Sequence, residues 1–389
     1  MEYDPTSWTI QEDPYPTYRW LREERPVYHN DRMGFFALSR FQDVWDATMN
    51  PGTFSSAYGL TIEKIESPLP LMITTDPPKH TRIRTLVSRA FTPRRIAELE
   101  DTVRAITRER LAGLERGDEV DLFEQLASPM PMDVISTLLG VPPEDRDRVR
   151  RLSNQAMERE SGTLEVPRSV LEAMGELFVY YQGLMEERRR EPQEDLLSDL
   201  LRAELRQDDG TTTKLTSEEV LGFCTLLGNA GHETTARLIG NSAVTLARHP
   251  DQRRELAADP SLLPNAVEEM LRFDPPSQVQ GRWTIREATF HGETIPADVR
   301  VLLLTGAAER DEREYDAPDR FDIHRKIERH LSLGYGHHLC LGKSLARQEC
   351  RVAFEELLAR FPDYEIDEAT LERAHNNNVR GFARVPMRL

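Results

Sequence analysis

The sequence predicts a mainly α fold with a minor β region, and three features of its patterning carry that prediction. Apolar residues recur at three- and four-residue spacing over most of the chain beyond Asp76. One such stretch, from about Ser217 to His249, is long enough at ~1.5 Å per residue to cross a whole domain. Alternating, strand-like stretches are short, as at Gly34–Ser39 and between Gln278 and Leu304.

Taken in order, the first ~75 residues carry prolines at 5, 14, 16, 26, 51, 68 and 70, which exclude long helices there. Thr92–Leu114, Val166–Arg190 and Glu194–Leu205 read as helices by period. The long helix opens on Thr216-Ser-Glu-Glu219, a capping box, and stops at Pro250. Its apolar residues run almost all round, which marks a buried central element. Leu262–Phe273 forms a shorter helix that ends before Pro275-Pro276. Thr289–Pro296 reads as a hairpin, and a charged, proline-bearing stretch follows from Glu309 to Arg329. A glycine-rich loop then leads into a last amphipathic helix, Gly342–Arg360, stopped by Pro362. One domain over residues 1–389 is expected, its β-rich portion mainly about 27–75 and 278–304 plus C-terminal strands.

The 389 residues carry 67 acids against 50 Lys and Arg, a net charge of −17. That excess opposes sustained contact with nucleic-acid phosphates or anionic lipid. With 39% hydrophobic residues the chain has enough apolar content for a sizeable core. The three cysteines, Cys224, Cys340 and Cys350, form no CxxC pair and fit a reducing compartment, so a cytoplasmic location is expected. Met1 to Pro26 contains no apolar run, so neither a signal peptide nor a membrane anchor is expected. A monomer is expected.

The most informative stretch is Leu333-Gly-Tyr-Gly-His-His-Leu-Cys-Leu-Gly342. Its glycines let the backbone turn tightly and approach something flat or bulky. Cys340 stands just before a helix start, where free N–H groups and the helix dipole favour a thiolate. An anionic sulfur so held suits a haem iron. Three other readings stand beside that one. Cys340 could be a small buried hydrophobe, it could form a zinc site with His337 and His338, or it could be a nucleophile with a histidine base.

The run GYGHHLCLG resembles the haem-ligand loop of the cytochrome P450 monooxygenases, written FxxGxxxCxG. Three further motifs stand in that family's order. Ala230-Gly-His-Glu-Thr-Thr235 lies midway along the long helix, where a carboxylate and hydroxyls in apolar surroundings require partners. Read alone, the hydroxyls could bond back to helix carbonyls and Glu233 could sit in a structural ion pair. The resemblance instead makes Glu233 and Thr234 the acid–alcohol pair that delivers protons during oxygen activation, with Thr235 in support and Ala230 and Gly231 against the cofactor. Glu269-Met-Leu-Arg272 could be a simple surface i,i+3 pair. In the family it is a buried ExxR pair, and Arg320, in Pro318-Asp-Arg-Phe321, stands where a joining arginine is expected. His80 and Arg84 lie at helical i,i+4 spacing and could form a solvated basic face. By resemblance they hold haem propionates together with Arg282 and His338.

The resemblance covers nearly the whole chain, from Pro14 onward. It implies the P450 fold, haem b ligated through Cys340 beside Gly342, and insertion of one oxygen atom from O2 into an apolar small molecule. The family usually has Phe where Leu333 stands, which bears on how the sulfur is shielded. No fused flavin or iron–sulfur motif is present, so a separate ferredoxin and its reductase are the expected electron donors. Lys79, Arg82, Arg84, Arg89, Arg94 and Arg95 form a block without acids. With Arg329, Lys343 and Arg347 it is expected to receive that acidic partner. The pocket walls are expected to include Leu71, Leu227, Asn229 and Val279, with the loop Phe54–Thr75 (Leu60, Ile65 and Met72 among its apolar residues) and Asn376–Val379. They imply a steroid, terpenoid, polyketide or fatty acid. A peroxygenase driven by H2O2, or a haem-binding sensor or carrier, are the rival functions.

Overall fold

The computed structural model describes residues 2–62, 69–160, 162–206 and 211–389. Its centre is the helix Ser217–Arg248, hereafter the long helix. The capping box at its start is complete: Thr216 Oγ1 accepts from the Glu219 N–H at 3.2 Å, and Glu219 Oε2 accepts from the Thr216 N–H at 3.0 Å. Helices Pro129–Leu139, Pro143–Ala156, Arg168–Arg190 and Lys343–Arg360 pack against it and bury nearly every side. The apolar residues that ring this helix therefore all find partners, and the largest core cluster forms around it.

Two expected helices are shorter than their periodicity suggested. Thr92–Leu114 is two helices, Pro93–Glu98 and Glu100–Leu111, which meet at Leu99 and give way to a left-handed Gly113. Glu194–Leu205 contains only the helix Leu196–Arg202, because the Asp195 carboxylate caps it by accepting the Ser198 N–H at 2.7 Å. Glu204–Arg206 then turns into a strand paired with Thr212–Lys214.

The main sheet has five strands: β1 Val27–Asn30, β2 Phe35–Leu38, β3 Phe54–Ser55, β4 Gln280–Thr284 and β5 Arg300–Leu303. Their spatial order is β1-β2-β5-β4-β3. β5 runs parallel to β2, with Arg300 opposite Phe35, and antiparallel to β4. The sheet thus joins chain from both ends of the sequence and sets β4 beside the long helix's cavity. The expected hairpin is present as Ala288–Phe290 against Glu293–Ile295. C-terminal strands pair with Glu119–Asp121 and with each other. Among the described residues, no helix is long and apolar enough to cross a membrane.

Candidate active site

The glycine-rich loop, the long helix, the sheet and the helix Lys79–Ala90 enclose a cavity with ≈ 260 Å³ open to the centre of a water molecule. Its floor is the cysteine loop. Gly334 and Gly336 adopt left-handed φ of 68° and 63°, a region that side chains disfavour, and fold the loop back on itself. The Cys340 N–H then donates to the Leu333 carbonyl at 2.8 Å, which presents the half-buried sulfur to the cavity. Burial pushes the Cys340 thiol pKa up, while the Gly342 N–H, Arg84, Arg347 and Lys343 oppose that rise. In the loop by itself desolvation outweighs those opposing groups.

One end of the cavity is cationic. Arg84, on Lys79–Ala90, donates from Nη2 to the Leu339 carbonyl at 2.5 Å. Arg282, on β4, is 5% exposed and donates to its neighbour's carbonyl at Gly281. Burial lowers Arg282 to about 10. Asp76, the carboxylate that partly offsets this, already accepts from the Ser55 hydroxyl and the Ser56 N–H. The His80 and His338 rings lie 4.4 Å apart, centroid to centroid. Neither nitrogen of His80, nor Nε2 of His338, has a hydrogen-bond partner among the described residues. Burial depresses their pKa values to about 4 and about 3. Buried guanidinium groups that donate only to carbonyls among the described residues, beside imidazole nitrogens without partners, create a demand for anions with acceptor oxygens.

To the same cavity the long helix contributes Leu227, Ala230, Gly231, Thr234 and Thr235. The Thr234 hydroxyl donates back to the Ala230 carbonyl at 2.8 Å. Glu233, one residue and about 100° round the helix, does not line the cavity. It is buried against Arg237, whose Nε donates to Oε1 at 2.8 Å. Arg237 in turn reaches the Phe382 carbonyl and lies over the Phe123 ring.

The sequence matches the family described as Cytochrome P450 over residues 69–386. The chain belongs to the cytochrome P450 family. It is similar to cytochrome P450 123 of Mycobacterium tuberculosis, 42% identical over 99% of this chain and 96% of that protein. It is also similar to a protein named vitamin D(3) 25-hydroxylase from Pseudonocardia autotrophica, 40% identical over 99% of this chain and 96% of the relative. The structure of CYP109Q5 from Chondromyces apiculatus superposes with a TM-score of 0.90 at 38% identity, covering 99% of this chain and 97% of the other. The chain is therefore a bacterial-type P450 monooxygenase, an oxidoreductase of a family that uses haem, O2 and a redox partner. Its cavity fits that cofactor: a sulfur faces the space, and at one end two guanidinium groups that donate only to carbonyls, beside imidazole nitrogens without partners, suit the two carboxylates of a haem.

Beneath the cysteine loop of this P450, Arg272 grips Glu269 with two hydrogen bonds, Nε to Oε2 at 2.6 Å and Nη2 to Oε1 at 2.8 Å. The expectation for Arg320 is corrected. Its side chain is 69% exposed and pairs with Asp322 at 2.8 Å. Arg325 joins the buried pair instead, 3.2 Å from Glu269 and 10% exposed. Phe321 and Ile323 bury their side chains. The turn at Asp322 then brings Arg325 back to Glu269, while Arg320 offers only its carbonyl to Arg272 and Arg325.

Of the expected pocket residues, Leu227 lines the cavity, whereas Leu71, Asn229 and Val279 do not. Leu71 starts the 3-10 turn whose next two residues, Met72 and Ile73, form the wall. Asn229 stands about 200° round the helix from Leu227. Val279 packs with Tyr3 and Tyr18 under the amino-terminal segment, and Gln280 beside it takes the cavity side. Asn376–Val379 borders a separate small recess, and Leu60 lines the cavity. Ile65 lies outside the described residues. Two backbone approaches are close: a Cβ on Gly281 would sit 2.8 Å from Leu60 C, and one on Gly222 would sit 2.9 Å from the Pro70 carbonyl oxygen.

Sequence reasoning missed Glu349, which lines the cavity from Lys343–Arg360. It is 1% exposed, and neither carboxylate oxygen has a hydrogen-bond partner among the described residues. Burial raises its pKa well above the usual carboxylate range. Leu345, Ala346 and Glu349, at helical spacing after the cysteine, were the available signal. No group of three His, Cys, Asp or Glu among the described residues could hold a metal, so the zinc alternative falls.

The basic block is mostly paired within the chain. Arg82 bonds Glu219, Arg94 bonds Glu98, Arg95 bonds Asp199, and Arg89 donates to the Glu204 carbonyl. Arg329 bonds Glu314, and Arg347 bonds Glu268 at 2.6 Å. Lys79 and Lys343 have no ion-pair partner among the described residues.

Proposed function

We propose that Cys340 ligates the iron of a haem b whose propionates are held by Arg84, Arg282, His80 and His338, in a single domain spanning residues 1–389. The observation that carries this reading is that one sulfur, two guanidinium groups without a carboxylate partner among the described residues, and the Thr234 hydroxyl line the same cavity. When bound, the haem supplies reductive activation of O2 and insertion of one oxygen atom into an unactivated substrate bond, the other atom leaving as water.

The chain's own residues set the conditions for that chemistry. Leu226, Leu227 and Leu238 on the long helix, with Met72 and Ile73, hold an apolar substrate and exclude bulk water. Rotation about one side-chain bond lets the Thr234 hydroxyl leave the Ala230 carbonyl and donate into the cavity. Glu233 keeps a carboxylate next to it in sequence, held by Arg237. Ala230 and Gly231 keep that wall small. Glu269, Arg272 and Arg325 brace the loop side, and Gly342 turns the chain from Cys340 into its helix.

The substrate is a medium-to-large apolar molecule of steroid, terpenoid, polyketide or fatty-acid type. The relative named for vitamin D(3) hydroxylation supports the steroid-sized end of that range. A ferredoxin fed by a reductase in the cytoplasm delivers electrons to the monomer, steered by Lys79 and Lys343. The deciding experiment is the absorption spectrum of the haem-loaded, reduced, carbon-monoxide-treated protein. A red-displaced Soret band supports thiolate ligation, and a band at the position of imidazole-ligated haem overturns it. Titration with vitamin D3 and palmitate, followed by the iron spin state, then tests the substrate class.

A further inference from the structure

Away from the cavity, the long helix buries a histidine that the reading above does not use. His232 has no exposed surface, and neither ring nitrogen has a hydrogen-bond partner among the described residues. Its neighbour Glu233 spends Oε1 on Arg237, and its Oε2 is also without a partner. The helix Pro143–Ala156 packs across this face of the long helix. Its Arg150 is close enough to His232 to oppose a charge on the ring. Arg150 runs from interior to surface. Nη1 donates to the 55%-exposed Glu124 at 2.9 Å, whereas its buried Nε lies 3.7 Å from Asp147 Oδ1 and has no hydrogen-bond partner among the described residues. The hydroxyl of Ser153, one turn on, is wholly buried and likewise unpartnered.

Buried polar atoms in a native protein are satisfied by protein or by ordered water, and each one left bare costs about 1–3 kcal/mol. Bare donors and acceptors on two packed helices, with a charged pair at the surface end, are what a short file of water molecules would satisfy. Imidazole is suited to such a file because one nitrogen accepts while the other donates.

We propose that water threads the interface between these helices from the Glu124–Arg150 pair to His232, and that His232 passes protons along it to Glu233. In each transfer one ring nitrogen takes a proton from water as the other releases one to Glu233 Oε2. A half-turn of the ring about its Cβ–Cγ bond then presents an N–H to Glu233 again, and the hydroxide left behind takes a proton from bulk solvent at the surface end of the file. No electrons move. His232 acts through Glu233 and so positions a proton rather than meeting substrate. The proposal rests on the roles given above to Glu233 and Thr234.

Two measurements test it. In the carbon-monoxide-bound ferrous protein, which is diamagnetic, the 15N-labelled His232 ring should show magnetisation transfer from water. A ring sealed from water overturns the hydrated path. Second, His232→Leu and His232→Gln are compared with wild type during NADPH-driven O2 consumption with ferredoxin and reductase and no added substrate. The share of O2 released as peroxide should rise at least threefold in both variants. Gln preserves shape and hydrogen bonding but does not relay protons, so a wild-type share in His232→Gln overturns the relay. If either variant lacks the carbon-monoxide band, the other decides by the same ratio. Thr234→Ala separates the two ideas. A raised peroxide share there with none in the His232 variants sinks the relay alone, while no rise in Thr234→Ala sinks the reading beneath it.

Discussion

Glu269 and Arg272 face each other three residues apart on one helix, joined by two hydrogen bonds, with neither side chain exposed. Breaking a buried pair strands one charge, a loss of about 3–5 kcal/mol. Arg272→Leu should lower stability of the haem-loaded protein by that amount in urea titration. Arg320→Ala should change it by no more than about 0.5 kcal/mol, as at other exposed sites. Arg325→Ala should fall between. A larger loss at Arg320 than at Arg325 would refute the assignment made from their exposures.

Arg282 tests the fit of the cofactor. Losing one charge-assisted hydrogen bond costs about 1.5–3 kcal/mol, at least tenfold in a dissociation constant. Arg282→Leu should release haem to an excess of acceptor protein at least tenfold faster than wild type. Arg282→Lys should recover part of the difference, since it restores charge without the planar fork.

Acid stability should depend on His232. Burial lowers its pKa to about 4, chiefly by desolvation, with Arg237 and Arg150 adding and Glu233 opposing. The unfolded chain carries the ordinary value near 6.5 and so binds the extra proton below it. Stability is therefore highest above about pH 6.5 and is lost as pH falls toward 4. Between pH 6.5 and 5 wild type should lose about 1–2 kcal/mol more than His232→Gln, read from paired urea titrations. Parallel curves would show that the ring titrates normally in the fold.

Electron delivery should respond to Lys343 rather than Arg89. Lys343→Glu should slow reduction by a ferredoxin at low salt, with the difference fading as salt screens it. Arg89→Glu should do so less, because the guanidinium is already held by the Glu204 carbonyl. Stopped-flow reduction across ionic strengths decides between them.

What the sequence revealed followed from strong local signals. The long helix was legible because its cap, period and proline stop agree over 32 residues. The cysteine loop was legible because left-handed turns call for glycine at Gly334 and Gly336. The failures share a different cause. Leu99 breaks a periodic stretch without glycine or proline at the break, so nothing local announces it. Arg320 and Arg325 sit in the same charged segment, and only the turn at Asp322 determines which one reaches Glu269. Val279 and Gln280 differ by one residue and therefore by sheet face, which composition cannot assign. Glu349 is, in sequence, one of several charges on an amphipathic helix. Its isolation depends on packing against the long helix.

Gly281 meets Leu60 backbone to backbone, its N–H donating to the Leu60 carbonyl, and Leu60 lines the cavity. That mooring does not read the Leu60 side chain. The position is therefore an exchangeable fitting: it can be rewritten for a bulkier or slimmer guest while its backbone hinge stays as it is. A methyl group at Gly281 would do the opposite, leaving the Leu60 side chain intact but misplaced.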